Sequence, residues 1–123
     1  MNLELNAIRV AVVNIPRARQ FYRDVLGLSL RFEGSGYLVF DSGGVTLLVQ
    51  FADPNTEESR AFIGRFTGIS FGVEDVESSC KELMARGVQC TDVLGSDVWG
   101  GPFAEFSDPE GNMFLLVTAS KTF

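Results

Sequence analysis

Two stretches of the chain repeat each other: IRVAVVNIPRARQFYRDVLGL (Ile8 to Leu28) and ISFGVEDVESSCKELMARGV (Ile69 to Val88). Ile8, Val10 and Val12 take alternate positions, as do Ile69, Phe71 and Val73, which is the period of a half-buried strand. Each run then meets a helix-starting residue, Asn14 or Asp75, and Pro16 stands in the first turn, where its missing N–H does no harm. Ala18, Phe21, Tyr22, Val25 and Leu26 predict one apolar helical stripe, and Val76, Cys80, Leu83 and Met84 predict another. Gly27 and Gly87 follow where a helix favours a left-handed terminal residue. The copies also end alike, in GVTLLVQF (Gly44 to Phe51) and GNMFLLVTA (Gly111 to Ala119). Each copy is therefore a strand, a helix and about three further strands. The first spans about 4–52 and the second about 66–119. Residues 53–65 form a linker in which "DPN" reads as a turn before a short helical piece.

Two βαβββ repeats make the fold class α+β. The expected architecture is a curved mixed sheet with helices on its outer face and a concave cleft on the other. With 123 residues the chain is one domain of 1–123, large enough for one real core.

The charge balance limits the partners. Formal net charge is −6, from 16 acidic and 10 basic residues, so no nucleic-acid partner is expected. The N-terminus lacks a basic region followed by an apolar run, and no stretch approaches the roughly 20 apolar residues of a spanning helix. No membrane partner is expected either. Cys80 and Cys90 read as ordinary reduced thiols, which predicts a cytoplasmic protein. There is no histidine. That removes the commonest general base at neutral pH and the commonest metal ligand.

QFYRDVLGL (Gln20 to Leu28), VWGGPFAEFSDPEGN (Val98 to Asn112) and the paired units together resemble the vicinal oxygen chelate superfamily of glyoxalase I, extradiol dioxygenases, fosfomycin-resistance enzymes and bleomycin-resistance proteins. The resemblance implies a βαβββ repeat, a homodimer and a ligand cleft. In metal-dependent members it implies ligands on the first and last strand of each unit, at positions matching Ala7, Leu47, Gly68 and Leu115. None of these can donate to a divalent ion. No metal and no cofactor are expected, and the chain is read as leaning away from an enzyme.

If Ala7 faces the cleft, so do Arg9 and Ala11, with Gly68, Ser70 and Gly72 in the second unit. On the last strands Val45, Leu47 and Val49, and Met113, Leu115 and Val117, are expected to line it. The candidate ligand-binding residues are Arg9, Ser70, Trp99, Phe51, Phe103 and Glu105. Arg9 either clamps an acidic ligand group or pairs with Glu105 or another acid. Trp99, in a glycine-rich loop, either stacks on a flat ligand or packs against the other unit. Phe51 and Phe103 are core residues or ligand contacts, Glu105 is solvated or salt-bridged, and Asp108 shapes its turn. No catalytic residue is assigned. The expected function is metal-free binding or sequestration of a small molecule, with an aromatic one among the candidates, as in the bleomycin-resistance branch, whose members hold an aromatic cationic drug. The alternative is a glyoxalase-like lyase or related enzyme with a non-standard site, drawing on lysine, Tyr22, Tyr37 or carboxylates.

Overall fold

The computed structural model describes residues 1–96 and 101–119. Two compact units, Met1–Arg65 and Phe66–Phe123, each build their own four-stranded sheet. In the first, β1 (Ala7–Val12), β2 (Ser29–Gly34), β3 (Tyr37–Ser42) and β4 (Val45–Phe51) stand in the order β1-β4-β3-β2. In the second, β5 (Phe66–Val73), β6 (Leu94–Ser96), β7 (Gly101–Ser107) and β8 (Met113–Thr118) stand as β5-β8-β7-β6. The first strand of each unit runs parallel to the last, and the other pairings are antiparallel. A parallel pair needs a long crossover. α1 (Ile15–Arg19), which widens into π-helical turns over Gln20–Val25, supplies it in the first unit, and α3 (Val76–Ala85) in the second. The fold is α+β with a duplicated βαβββ plan, carried on two open sheets.

In the first unit β1 and β4 pair Ile8 with Leu47, Val10 with Val49 and Val12 with Phe51. Phe40 then falls beside Leu47 and Leu38 beside Val49. Residues paired in this way share a face of the sheet, and this face packs under Ala18, Phe21 and Tyr22. Val12, Tyr22, Leu38, Phe40, Leu47 and Val49 are fully buried, each such side chain contributing about 1.5–3 kcal/mol. The rings of Phe21 and Tyr22 meet edge-on at 5.0 Å, and Tyr22 lies 5.9 Å from Phe40. Ala7, Arg9 and Ala11 point to the opposite, far face.

That register corrects the expectation for β4. Val45, Leu47 and Val49 lie on the helix face, and Thr46, Leu48 and Gln50 share the far face with Ala7, Arg9 and Ala11. Leu48, which pairs with Arg9, is the counterpart of Leu115, which pairs with Ser70. The common letters "LLV" in the two final strands align one residue out of structural step, and a one-residue slip exchanges faces.

The second unit keeps the same logic with aromatic residues. Phe71, Phe106 and Phe114 form a ring cluster with centroids 5.4–5.8 Å apart. Buried Ala104 and Leu116 share their face of the sheet, and buried Val76 and Cys80 are the inward residues of α3. Met84, expected in the helical stripe, is 57% exposed. At about 100° per residue it has turned some 80° from Val76, beyond the edge of the stripe.

The helix ends follow their local chemistry. Asn14 Oδ1 accepts from the Arg17 amide at 3.0 Å and Asp75 Oδ1 from the Ser78 amide at 3.1 Å. At the end of α3, Gly87 at φ 85 lets its own N–H reach Met84 O and the Val88 N–H reach Leu83 O, the paired bonds of a Schellman motif. In the linker Asp53 Oδ1 accepts from the Asn55 amide, and Thr56 caps α2 (Glu57–Arg60), as the sequence predicts.

The turn between β7 and β8 is locked by side chains. Asp108 Oδ1 accepts from the Glu110 and Asn112 amides, both at 2.9 Å, and its Oδ2 accepts from Asn112 Nδ2 at 2.8 Å. Both residues are buried, and Asp108 shapes its turn as expected. Asn112→Ala would remove the Nδ2 donor that Asp108 Oδ2 accepts from inside the buried turn. Such bonds to charged groups are worth about 1.5–3 kcal/mol. Urea unfolding should therefore show a stability loss of about 2–3 kcal/mol.

Candidate ligand-binding site

On the far face of the first unit, the register sets Arg9, Leu48, Val39 and Phe32 in one row across all four strands. The next row reads Ala11, Gln50, Tyr37 and Gly34. Arg9 is exposed and makes no ion pair with any described residue. Phe32 is 56% exposed, its ring 6.0 Å from that of Tyr37. Tyr37 lies over Gly34, where a Cβ would run into the ring. A glycine is therefore what lets the tyrosine lie flat on the sheet.

A bulge adds a second guanidinium. Leu30 pairs with Phe40 and Phe32 with the next residue back, Val39, so Arg31 is the extra residue. It reaches Asp41 Oδ1 at 2.7 Å and Thr46 Oγ1 at 3.3 Å, two residues of the far face. Bulges re-aim side chains in this way. Strict alternation puts Leu30 and Phe32 on one face; the bulge separates them and gives the far face both Arg31 and Phe32. Arg31 is neutralised by Asp41. On the helix side of the same strand Glu33 is gripped by Arg19, which holds its carboxyl below the usual range by hydrogen bonding.

In the second unit the far face carries Ser70, Leu115 and Glu105 in one row and Gly72, Val117 and Phe103 in the next. Here Met113, Leu115 and Val117 do occupy the expected face. Ser70 is exposed, Phe103 and Glu105 are half-buried, and Leu115 is buried at 5%. Glu105 also lines an open cavity of about 640 Å³ together with Met84, Val88, Cys90 and Thr91. Its backbone is clamped to Thr91, whose N–H donates to Glu105 O and whose Oγ1 accepts from Glu105 N.

Three of the six candidate ligand residues, Ser70, Phe103 and Glu105, are thus gathered on one sheet face. Arg9 stands on the far face of the other unit. Phe51 pairs with Val12 and belongs to the helix face of its sheet, 46% exposed at the strand end. Trp99 lies outside the described residues. Phe32, Tyr37, Leu48 and Arg31 form a surface that is not visible in the sequence residue by residue. Val39 and Tyr37 alternate visibly in β3, but the bulge that completes the surface leaves no periodic signal.

Residues 4–116 match the sequence model of the Glyoxalase/Bleomycin resistance protein/Dioxygenase superfamily. The chain belongs to that superfamily. It is 29% identical to the uncharacterized protein YraH of Bacillus subtilis (strain 168), over 93% of this chain and 97% of that one. Among solved structures it resembles a member of the superfamily from Sphaerobacter thermophilus DSM 20745, with a TM-score of 0.79 and 28% identity over 96% of this chain and 98% of that one. It also shares the fold of TnmS3, an antibiotic binding protein from Streptomyces sp. CB03234, with a TM-score of 0.80 at 24% identity, covering 97% and 98% of the two chains. No helix of the described residues is long and apolar enough to cross a membrane.

Within the superfamily the metal question turns on donors. The four matching positions, with Leu48 replacing Leu47 after the register correction, are Ala7, Leu48, Gly68 and Leu115. All are hydrocarbon or hydrogen. Gly68, at φ 74 within an irregular stretch of β5, presents no side chain at all. Among the described residues no three His, Cys, Asp or Glu side chains converge. Glu105 beside Leu115 is a single carboxylate, so a divalent ion does not fit these residues. Leu115→Glu should not restore one: the new carboxylate would be buried without enough co-ligands and should destabilise the protein by a few kcal/mol. Thermal unfolding of this variant should give the same lowered Tm with and without added nickel or zinc.

Proposed function

We propose that the protein is a metal-free small-molecule binding module of the superfamily, acting as a homodimer in the cytoplasm. The observation that carries this reading is the far face of the first unit, where a solvent-exposed Arg9 without an ion pair among the described residues borders an apolar and aromatic surface. A guanidinium in that setting suits a carboxylate or phosphate, which it can hold through two parallel hydrogen bonds. The Phe32–Tyr37 pair suits a flat ring. The proposed ligand is therefore a planar molecule with an acidic group. Ser70, Phe103, Glu105 and Trp99 remain the proposed contacts of the second unit. The open edges of both sheets support association of two copies, and light scattering should give twice the chain mass at micromolar concentration. The antibiotic-binding neighbour TnmS3 is consistent with sequestration as the role, although that likeness concerns the fold alone.

Fluorescence of Trp99, the single tryptophan, provides a titration signal. A panel of planar aromatic carboxylates, each matched with its amide and with a cationic amine, should show binding of the carboxylates. Arg9→Ala should weaken it by about 1.5–3 kcal/mol, the scale of a charge-assisted hydrogen bond. Tyr37→Leu should cost about 1 kcal/mol from lost stacking. Tm should stay near that of the parent for Arg9→Ala. Tighter binding of the cationic members after removal of Arg9 would reverse the assigned ligand charge. Stoichiometric zinc, nickel, iron or manganese in untagged protein would overturn the metal-free reading in favour of an enzyme.

A further inference from the structure

The two cysteines, separate in the sequence, meet in the second unit. Cys80 is an inward residue of α3, 4% exposed. The Schellman turn at Gly87 reverses the chain, and Cys90 then pairs with Phe106 of β7 in a single antiparallel bridge. α3 packs across β7, and Cys90, paired with the buried Phe106, shares the sheet face that α3 covers, so the return brings Cys90 into the neighbourhood of Cys80. Their exposures differ: Cys80 is sealed, whereas Cys90 is half-buried and lines the cavity of about 640 Å³. The next residue, Thr91, is the one clamped to Glu105.

We propose that Cys80 and Cys90 form a reversible intramolecular disulfide, with a low-molecular-weight disulfide entering the cavity as oxidant. The Cys90 thiolate attacks one sulfur of the oxidant and expels one thiolate, leaving a mixed disulfide on Cys90. Cys80 then gives up its proton to solvent and attacks the Cys90 sulfur, releasing the second thiol. In sum, two protein thiols and one small disulfide become one protein disulfide and two small thiols. The accessible cysteine is the entry point and the sealed one the resolving partner. Closure would staple the middle of α3 to the segment bearing Thr91, and so couple thiol redox state to the cavity wall at Glu105.

Burial, with the Cys80 thiol next to it, pushes Cys90 up to about 12. Only the thiolate attacks, so the rate should climb about tenfold per pH unit below that value. The pair is consequently slow to oxidise near neutrality and faster in alkali, a sign opposite to that of an activated cysteine.

The test is incubation of the folded, reduced protein with oxidised glutathione at pH 7 and pH 9, followed by intact mass and peptide mapping. The expected product is a Cys80–Cys90 cross-link, about 100-fold faster at pH 9 and reversed by dithiothreitol. Its Tm should lie about 5 °C or more above that of the reduced protein, since the cross-link restricts the unfolded chain. Cys80→Ser should stop at a stable glutathione adduct on Cys90, and Cys90→Ser should leave Cys80 unmodified. Cys80→Ala and Cys90→Ala repeat both arms in case serine disturbs the core. A lasting glutathione adduct on the wild-type protein, an intermolecular disulfide, or a cross-link appearing only in denaturant would overturn the proposal.

Discussion

The parallel pairing of the first strand of each unit with its last governs the placement of nearly every other residue. A parallel neighbour cannot be reached by a tight turn, so a helix must cross over, and that helix needs an apolar sheet face beneath it. In the first unit β1 and β4 then have no choice of phase: Ile8, Val10, Leu47 and Val49 go under Tyr22. Arg9 is thereby sent to the far face with Leu48. The same constraint in the second unit sends Phe71 and Phe114 under α3, and Ser70 and Leu115 to the far side.

Much of this is legible in the sequence because it is local. Asn14, Asp75 and Gly87 act through bonds to neighbours three to five positions away, and those spacings are written in the chain. The alternation of Ile8, Val10 and Val12 is equally direct. What the sequence does not show is how separate segments meet. The inner face of β4 is misassigned from sequence because Leu47, Leu48 and Val49 are all apolar, so hydrophobicity carries no phase there. The bulge at Arg31 adds one residue and exchanges faces within a single strand. The approach of Cys80 to Cys90 needs both the reversal at Gly87 and the bridge to Phe106. For the candidate site, the residue types are readable but their grouping is not.

Superfamily membership says which fold the chain has, and the donor set at the matching positions bears on what that fold can hold. A shared fold supplies a scaffold and not a reaction. At Leu115 and Leu48 the strands that could carry metal ligands carry aliphatic side chains, while an exposed arginine and an aromatic pair stand on the first sheet. In the proposed function those groups would meet a ligand by ion pairing and stacking, and neither interaction requires a metal ion.

The equivalent hairpins of the two units close by different chemistry. β3 and β4 are joined by Gly43 and Gly44 at φ 58 and 91, a two-residue turn in which the backbone alone sets the path. β7 and β8 are joined through Asp108 and Asn112, whose side chains hold the turn from within. A contact between residues four positions apart closes a very short loop and loses little chain entropy. Side-chain bonds of this span can therefore form before the strands beyond them zip together, whereas β5 must wait for a crossover of about forty residues. Loop entropy by itself thus favours assembly of the second unit outward from the Asp108 turn, with the parallel strand and the far face it carries joined last.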